Sequence, residues 1–317
     1  MNRAFYKNLF GITIPIAFQN IISYSVNMMD TLMLGSLGET ILSASSLGGQ
    51  VFFLYSILIS GLGCGAGVLC SQYYGKRDII SLRKITAMIL KLGIGLSLIF
   101  TISLLIFPEN IMRIFTPEIE VIKEGGKYLR TISISYLFYG ATAIFLIVLR
   151  SLQDVKLSLW VYSISFITNV FFNYIFIFGN FGAPALGIIG AAIGTVMARG
   201  IEIILVFTYM RYGEHVLKFR ISMLKMFDKI LFKDMIKYGL PVLIGELSWG
   251  TGLSAHSIIL GHMGEAAVAA NSICNVLHQF ALSFVQGLGS SSAVIMGQYI
   301  GAGKTATARR AVGGNMI

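Results

Sequence analysis

Charged side chains are scarce in this sequence. Lys, Arg, Asp and Glu together make up 12% of its 317 residues, about half the usual share of a soluble domain. Proline occurs five times, histidine four times and tryptophan twice. The three cysteines, Cys64, Cys70 and Cys274, all lie in apolar stretches, which excludes a disulfide framework and a zinc site. There is no HExxH motif, no paired intramembrane aspartate and no Ser/His/Lys constellation. These absences argue against an enzyme, a structural metal and an organic cofactor.

What is abundant is apolar. Hydrophobic residues make up 56% of the chain and the mean hydropathy is +0.78. Length alone would suggest roughly two soluble domains, but the composition is that of a membrane protein. The N-terminal "MNRAFYKNLF" places two basic residues before an apolar run longer than a signal h-region. No small-residue cleavage site follows, so this run reads as a retained spanning helix.

About 20 apolar residues cross the hydrocarbon core as a helix. Eight segments qualify, at about 9–34, 44–73, 85–107, 128–149, 157–179, 186–210, 238–260 and 266–298. With the N-terminus cytoplasmic, eighteen of the 24 basic residues fall on the cytoplasmic side and four outside, with Lys91 and Arg199 within helices. This asymmetry fixes the orientation. The net charge of +10 therefore faces anionic lipid rather than nucleic acid. The expected location is the plasma membrane, with a bacterial inner membrane as the setting, and the expected working unit is a monomer.

The sequence repeats itself. "PIAFQN…LGSLGE…GLGCGAGVLCSQYYG" resembles "PVLIGE…LGHMGE…GLGSSSAVIMGQYIG" at a constant offset that pairs Pro15 with Pro241 and Glu39 with Glu265. The same offset pairs Gln72 with Gln298 and Gly75 with Gly301. Six helices separate the copies, so both have the same orientation, as in the parallel repeats of secondary transporters. The expected architecture is an all-α polytopic bundle. Residues 1–210 form a six-helix N-lobe, 211–236 a cytoplasmic basic amphipathic linker, and 237–317 the first two helices of a repeated C-lobe. In the linker, Phe227, Ile230, Leu231 and Met235 recur at helical spacing among lysines. That pattern predicts a helix on the inner membrane surface, although a solvated connection between two bundles fits equally well.

Two glycine-rich stretches are decoys. "GLGCGAG" (Gly61 to Gly67) lies within an apolar helix with no strand before it, so it is no dinucleotide loop. Its small residues suit close helix packing instead. "GQYIGAGKT" has Gln298 where a phosphate loop needs its first glycine. ATP binding is therefore rejected.

Ionisable groups within the spans mark functional candidates. They are Asp30, Lys91, Arg199, Glu202 and Glu246, with His256 and His278. Burying an unpaired carboxylate costs several kcal/mol, so Asp30 must be partnered, protonated or wet. Asn169 and Asn173 share a face at i, i+4. Arg199 and Glu202, three apart, are placed to pair. Lys91 is read as reaching toward the inner face. Pro15 and Pro241 each remove a helix hydrogen bond and offer a hinge. Asn20 is the repeat equivalent of Glu246, and His256 that of Asp30. With Asn169, Asn173 and Thr195, Asn20 and His256 are the expected lining of a substrate cavity.

The stretches "NMMDTLMLGSLGE", "LRSLQDVKLSLW", "FITNVFFNYIFIFGNFGAPALGIIGAAIGT" and "GLPVLIGELSWG" resemble the multidrug and toxin extrusion family of cation-coupled antiporters. That family's superfamily also includes lipid-linked oligosaccharide flippases. The resemblance implies a twelve-helix unit, of which this chain holds about two thirds, so the chain is expected to be C-terminally truncated. It implies efflux of organic, mainly cationic or amphipathic compounds in exchange for H⁺ or Na⁺. Asp30 would carry proton or sodium coupling in the N-lobe. Glu246 would belong to the C-lobe cation site, where Na⁺ is a possible occupant. Asn173 stands where the family motif has Asp or Asn, so a second N-lobe carboxylate is not available there. Two alternatives stay open. One is a flippase, against which the acids Asp30 and Glu246 argue, since pyrophosphate cargo wants a basic cavity. The other is a nonfunctional fragment.

Overall fold

The structure is a computed structural model and describes residues 3–213, 216–262, 265–306 and 308, excluding the side chains of 3–4 and 253–277. Among the described residues the chain is helical without strands. Nine α-helices follow in order among the described residues: α1 (Arg3–Gly35), α2 (Glu39–Gly75), α3 (Ile79–Ile106), the short α4 (Pro108–Arg113), α5 (Ile119–Ser151), α6 (Lys156–Phe178), α7 (Ile188–Tyr212), α8 (Lys229–His262) and α9 (Glu265–Gly301). Seven helices are long and apolar enough to cross a membrane among the described residues. The protein is thus a multi-pass helical membrane protein. The helix expected as the seventh of eight spans, α8, is continuous for 34 residues. The part of that expected span that falls on 253–260 lies outside the described side chains.

The helices overrun the hydrocarbon. At 1.5 Å per residue, the 37 residues of α2 span about 55 Å, well beyond the roughly 30 Å core. Capping residues sit in the loops. Asp78 opens α3 by accepting from the Ser81 N–H at 3.0 Å and the Ser81 hydroxyl at 2.7 Å. Those two bonds, the backbone one foremost, hold its carboxyl below the usual carboxylate range. Gly179 closes α6 in the left-handed region at φ 75°, which an L side chain rarely adopts.

Within a core of large apolar side chains, one buried tyrosine and one glycine set how three helices meet. Tyr55 of α2 is fully buried. Its hydroxyl donates to the Tyr136 carbonyl at 2.6 Å and lies 2.7 Å from the Ser97 hydroxyl. This ties α2, α3 and α5 together where no water is available to satisfy a phenol. A methyl on Gly140 would strike both hydroxyls, so the small residue sets the spacing of these helices.

The repeat is visible in space. Helix α8 begins, and α9 begins and ends, at the same offset from α1 and α2 that the sequence repeat shows. Helix α1 packs on α9 and α8 packs on α2, a pseudo-two-fold arrangement. The symmetry extends to atoms. A Cβ on Gly75 would collide with the Gln298 carbonyl, and one on Gly301 with the Gln72 carbonyl. Further along, the Thr13 and Ser291 hydroxyls meet at 2.7 Å across α1 and α9. Their repeat equivalents are Gly239 and Gly65, whose backbones touch. One half of the interface therefore closes on a hydrogen bond and the other on bare backbone. At the end of α9, Gln298 donates to the Ser151 carbonyl at 2.9 Å and accepts from Gln153 at 2.6 Å.

The stretch expected as a surface helix takes another form. It divides into a 3₁₀ turn at Ile221–Lys225 and the first turns of α8 from Lys229. Leu217, Phe219 and Met223 are buried, with the Phe219 ring against Phe145 at 5.1 Å. Basic residues of α3 staple the strap. Arg83 donates to the Leu217 carbonyl at 2.9 Å, Lys84 pairs with Asp228 at 3.0 Å, and Lys91 donates to the Met226 carbonyl at 3.0 Å. Of the four periodic apolar residues, Phe227 and Ile230 are exposed as a membrane-surface face requires, whereas Leu231 and Met235 face protein. The reason is that α3 supplies the donors that the strap's free carbonyls need.

Candidate functional site

Asp30 lies near the end of α1, which packs on α6. Its carboxylate is half-buried and is partnered. The Asn173 amide donates to Asp30 Oδ1 at 2.5 Å, and its second N–H goes to Asn169 Oδ1 at 3.2 Å. Asn169 in turn donates to Thr195 Oγ1 at 3.4 Å, and the Thr195 hydroxyl donates to the Ala191 carbonyl at 3.1 Å. The i, i+4 spacing of the two asparagines on α6 makes the chain of amides possible. Gly194 of α7 makes room, since a Cβ there would strike Asn173 Oδ1.

Among the described residues the hydrogen bond to Asp30 comes from a neutral amide, and the nearest cation to act on it, Arg199, does so at longer range and is paired with Glu202. A neutral amide offsets part of the cost of burying a carboxylate but does not cancel its charge. The site can therefore exchange a proton or hold a small cation. Asn173 Oδ1 is buried with no hydrogen-bond partner. Such an orphan acceptor is uncommon and is suited to a donor that Asp30 would present when protonated.

Asn169 and Asn173 are 1% and 0% exposed. They were expected to line a cavity, but in this conformation they lie behind Asp30, closed off from solvent. Thr195 is partly exposed. Asn20 donates to Gln286 at 3.4 Å, bridging α1 and α9. Glu246, its repeat equivalent on α8, is half-buried and forms no hydrogen bond or ion pair with a described residue. His256 lies outside the described side chains. Pro15 and Pro241 sit inside uninterrupted helices.

The pair read from the i, i+3 spacing on α7 forms. Arg199 Nη1 reaches both oxygens of Glu202, at 2.8 and 2.9 Å, and Glu202 is fully buried. The guanidinium also lies over the rings of Tyr139, at 4.8 Å, and Phe52, at 5.7 Å. The sequence reading missed these aromatic partners, and no local spacing would have revealed them. It also missed the Gln298 bridge, which the repeat register did signal through Gln72.

These features define a class: a polytopic helical membrane protein whose helices α8 and α9 repeat α1 and α2, with an ionisable group within its first spanning helix. The family profile MatE matches residues 15–175 and 242–315, and the chain belongs to that family. Among relatives, it is 27% identical to the "Probable multidrug resistance protein NorM" of Agrobacterium fabrum, over 94% of this chain and 64% of that protein. It is likewise 27% identical to the "Probable multidrug resistance protein YoeA" of Bacillus subtilis, over 91% and 63%. The chain thus spans slightly under two thirds of these relatives. A solved structure described as the outward-facing conformation of a multidrug resistance MATE family transporter superposes with a TM-score of 0.84, at 20% identity, over 96% of this chain and 68% of that one. Two further structures, described as MATE in the bent and in the straight conformation, give 0.84 and 0.85 at 20% and 19% identity, with the same coverage.

Proposed function

We propose that the protein is an antiporter that exports organic, mainly cationic or amphipathic compounds in exchange for H⁺ or Na⁺. The observation that carries this reading is the Asp30 carboxylate, held within a spanning helix by the neutral amide of Asn173. An acid so placed suits both a cationic cargo and a coupling ion, and the two would compete. The names of the NorM and YoeA relatives support multidrug efflux. An ion gradient, not ATP, supplies the energy, and no organic cofactor takes part. The working unit is a monomer in the plasma membrane, the inner membrane of a bacterium, with its N-terminus cytoplasmic.

The mechanism follows from the amide chain. With Asp30 ionised, Asn173 donates to it, as seen here. With Asp30 protonated, its hydroxyl becomes a donor, and the unpartnered Asn173 Oδ1 becomes the natural acceptor after the amide turns over. This exchange alters the contact between α1 and α6. Pro15, fifteen residues earlier on α1, is where the helix yields. Bending there shrinks the N-lobe interior and releases cargo outward. Solved structures of like fold, described as MATE in the bent and in the straight conformation, are compatible with two such states. Glu246 holds the coupling cation on the C-lobe side, with Na⁺ as a candidate.

The test is ethidium efflux from a drug-hypersensitive host expressing the full-length protein. Asp30→Asn and Glu246→Gln are each expected to abolish efflux at unchanged expression. Normal efflux from both variants would remove the two acids from the mechanism and overturn the reading.

A further inference from the structure

Arg199 has more hydrogen-bonding capacity than its partner uses. Glu202 takes both of its contacts from one nitrogen, Nη1. The Nη2 and Nε donors make no hydrogen bond with a described residue, and neither atom is sealed in protein without a partner. Each therefore keeps some exposed surface, in a side chain otherwise enclosed by protein. The Arg199 side chain keeps 18% of its surface, whereas that of Glu202 keeps 1%. Arg–carboxylate pairs often bring two nitrogens of the fork onto the two oxygens. Here one edge of the fork is turned away from Glu202, and Tyr139 and Phe52 wall the guanidinium.

The location adds a second argument. Arg199 lies one helical turn from Thr195 on α7, and Thr195 ends the amide chain that begins at Asp30. The interior therefore holds an acid and, a turn along α7 from Thr195, a partly exposed cation whose Nη2 and Nε are not used by Glu202. Glu202 keeps that cation from standing alone in a low-dielectric setting. The rings beside it hold the guanidinium in place by cation–π contact.

We propose that Arg199 is an anion-accepting subsite of the N-lobe, taking a carboxylate or similarly compact anionic group carried on an organic cargo. The preferred cargo then carries opposite charges at its two ends, its cationic end at Asp30 and its anionic end at Arg199. This rests on the reading of the protein as an exporter of organic compounds, and it narrows that reading from cations to zwitterions.

The experiment compares two fluorescent aromatic probes with a cationic end, rhodamine 110, which also carries a carboxylate, and its methyl ester rhodamine 123, which differ in one negative charge. Binding is measured to the wild-type protein in nanodiscs, and to Arg199→Gln/Glu202→Gln, which replaces the ion pair by an amide pair of similar size. Ethidium binding is followed in parallel as the test of the exporter reading and of intact folding. Wild type is expected to bind the acid about tenfold or more tightly than the ester, as befits loss of hydrogen bonds to a charged group. The double variant is expected to lose that preference while still binding ethidium. Arg199→Lys, which keeps the charge but not the fork, is expected to retain only part of it and serves if the double variant fails to fold. Equal binding of acid and ester by wild type, an undiminished preference in either variant, or binding of neither probe alongside normal ethidium binding would each overturn the subsite. Failure of wild type to bind or export ethidium would instead overturn the exporter reading.

Discussion

Replacing Asp30 by Asn is the sharpest probe of the proposed coupling, because the structure limits what it can do. Asp30 is the one titratable member of its hydrogen-bonded chain, since Asn173, Asn169 and Thr195 do not ionise. If cationic cargo and a proton compete for that one carboxylate, affinity falls with pH by at most one proton's worth. Linkage then sets a ceiling of about tenfold in Kd per pH unit, or about 1.4 kcal/mol. Cargo should bind more weakly as pH falls through the titration of Asp30. Asparagine at this position keeps a carbonyl oxygen for the Asn173 amide, so the fold should lose only the difference between a charged and a neutral hydrogen bond, about 1 kcal/mol. The assay is ethidium binding to the full-length protein in nanodiscs across about three pH units. Wild type should show a slope approaching one, and Asp30→Asn a slope near zero. An unchanged profile in Asp30→Asn would assign the carboxylate to structure and leave coupling to Glu246. A slope near two would reveal a second titrating group.

Other expectations concern the frame around the site. Gly75→Val and Gly301→Val each push a side chain into the opposing glutamine backbone, which has no rotamer with which to yield. Each should lower stability by about 1–3 kcal/mol, read as a fall in Tm in detergent, and an unchanged Tm would deny the close approach of α2 and α9. Cysteines placed singly at Asn110 and Lys225, in a background lacking Cys64, Cys70 and Cys274, should separate the two faces. External reagent should label the former and spare the latter, and labelling of Lys225→Cys in intact cells would invert the topology. The Asp228 carboxyl is held below its ordinary value of 3.8, first by the Lys84 hydrogen bond and then by the Leu231 N–H. Its contribution to the strap is therefore complete above that ordinary value and is lost as pH falls through the lowered one. Amide exchange at Ile230 and Leu231 should quicken over that acidic range in wild type, whereas Asp228→Asn should exchange faster at neutral pH too. Identical exchange in both proteins at neutral pH would show that the pairing holds nothing in place.

Much of this protein is legible without coordinates. Scarce charge and long apolar runs specify a membrane bundle, because lipid leaves the backbone no partner but itself. The repeat fixes which helices correspond, since Pro, Gly, Gln and Glu kept at one offset mark the same places in two lobes. The Arg199–Glu202 pair follows from helix geometry alone. Tertiary structure decided the contacts between helices. Hydropathy says that Asp30 is buried but not that Asn173, 143 residues away, donates to it. Amphipathic spacing in the strap does not reveal whether Leu231 meets lipid or α3, because both are apolar surroundings. The donors of Arg83 and Lys91 on a packed neighbour decide it. Nor does a lone arginine disclose which of its nitrogens its glutamate will leave free. Periodicity reports how each helix divides its own faces. Which face meets which is set by the fit of two surfaces, and that information is shared between distant segments of the chain.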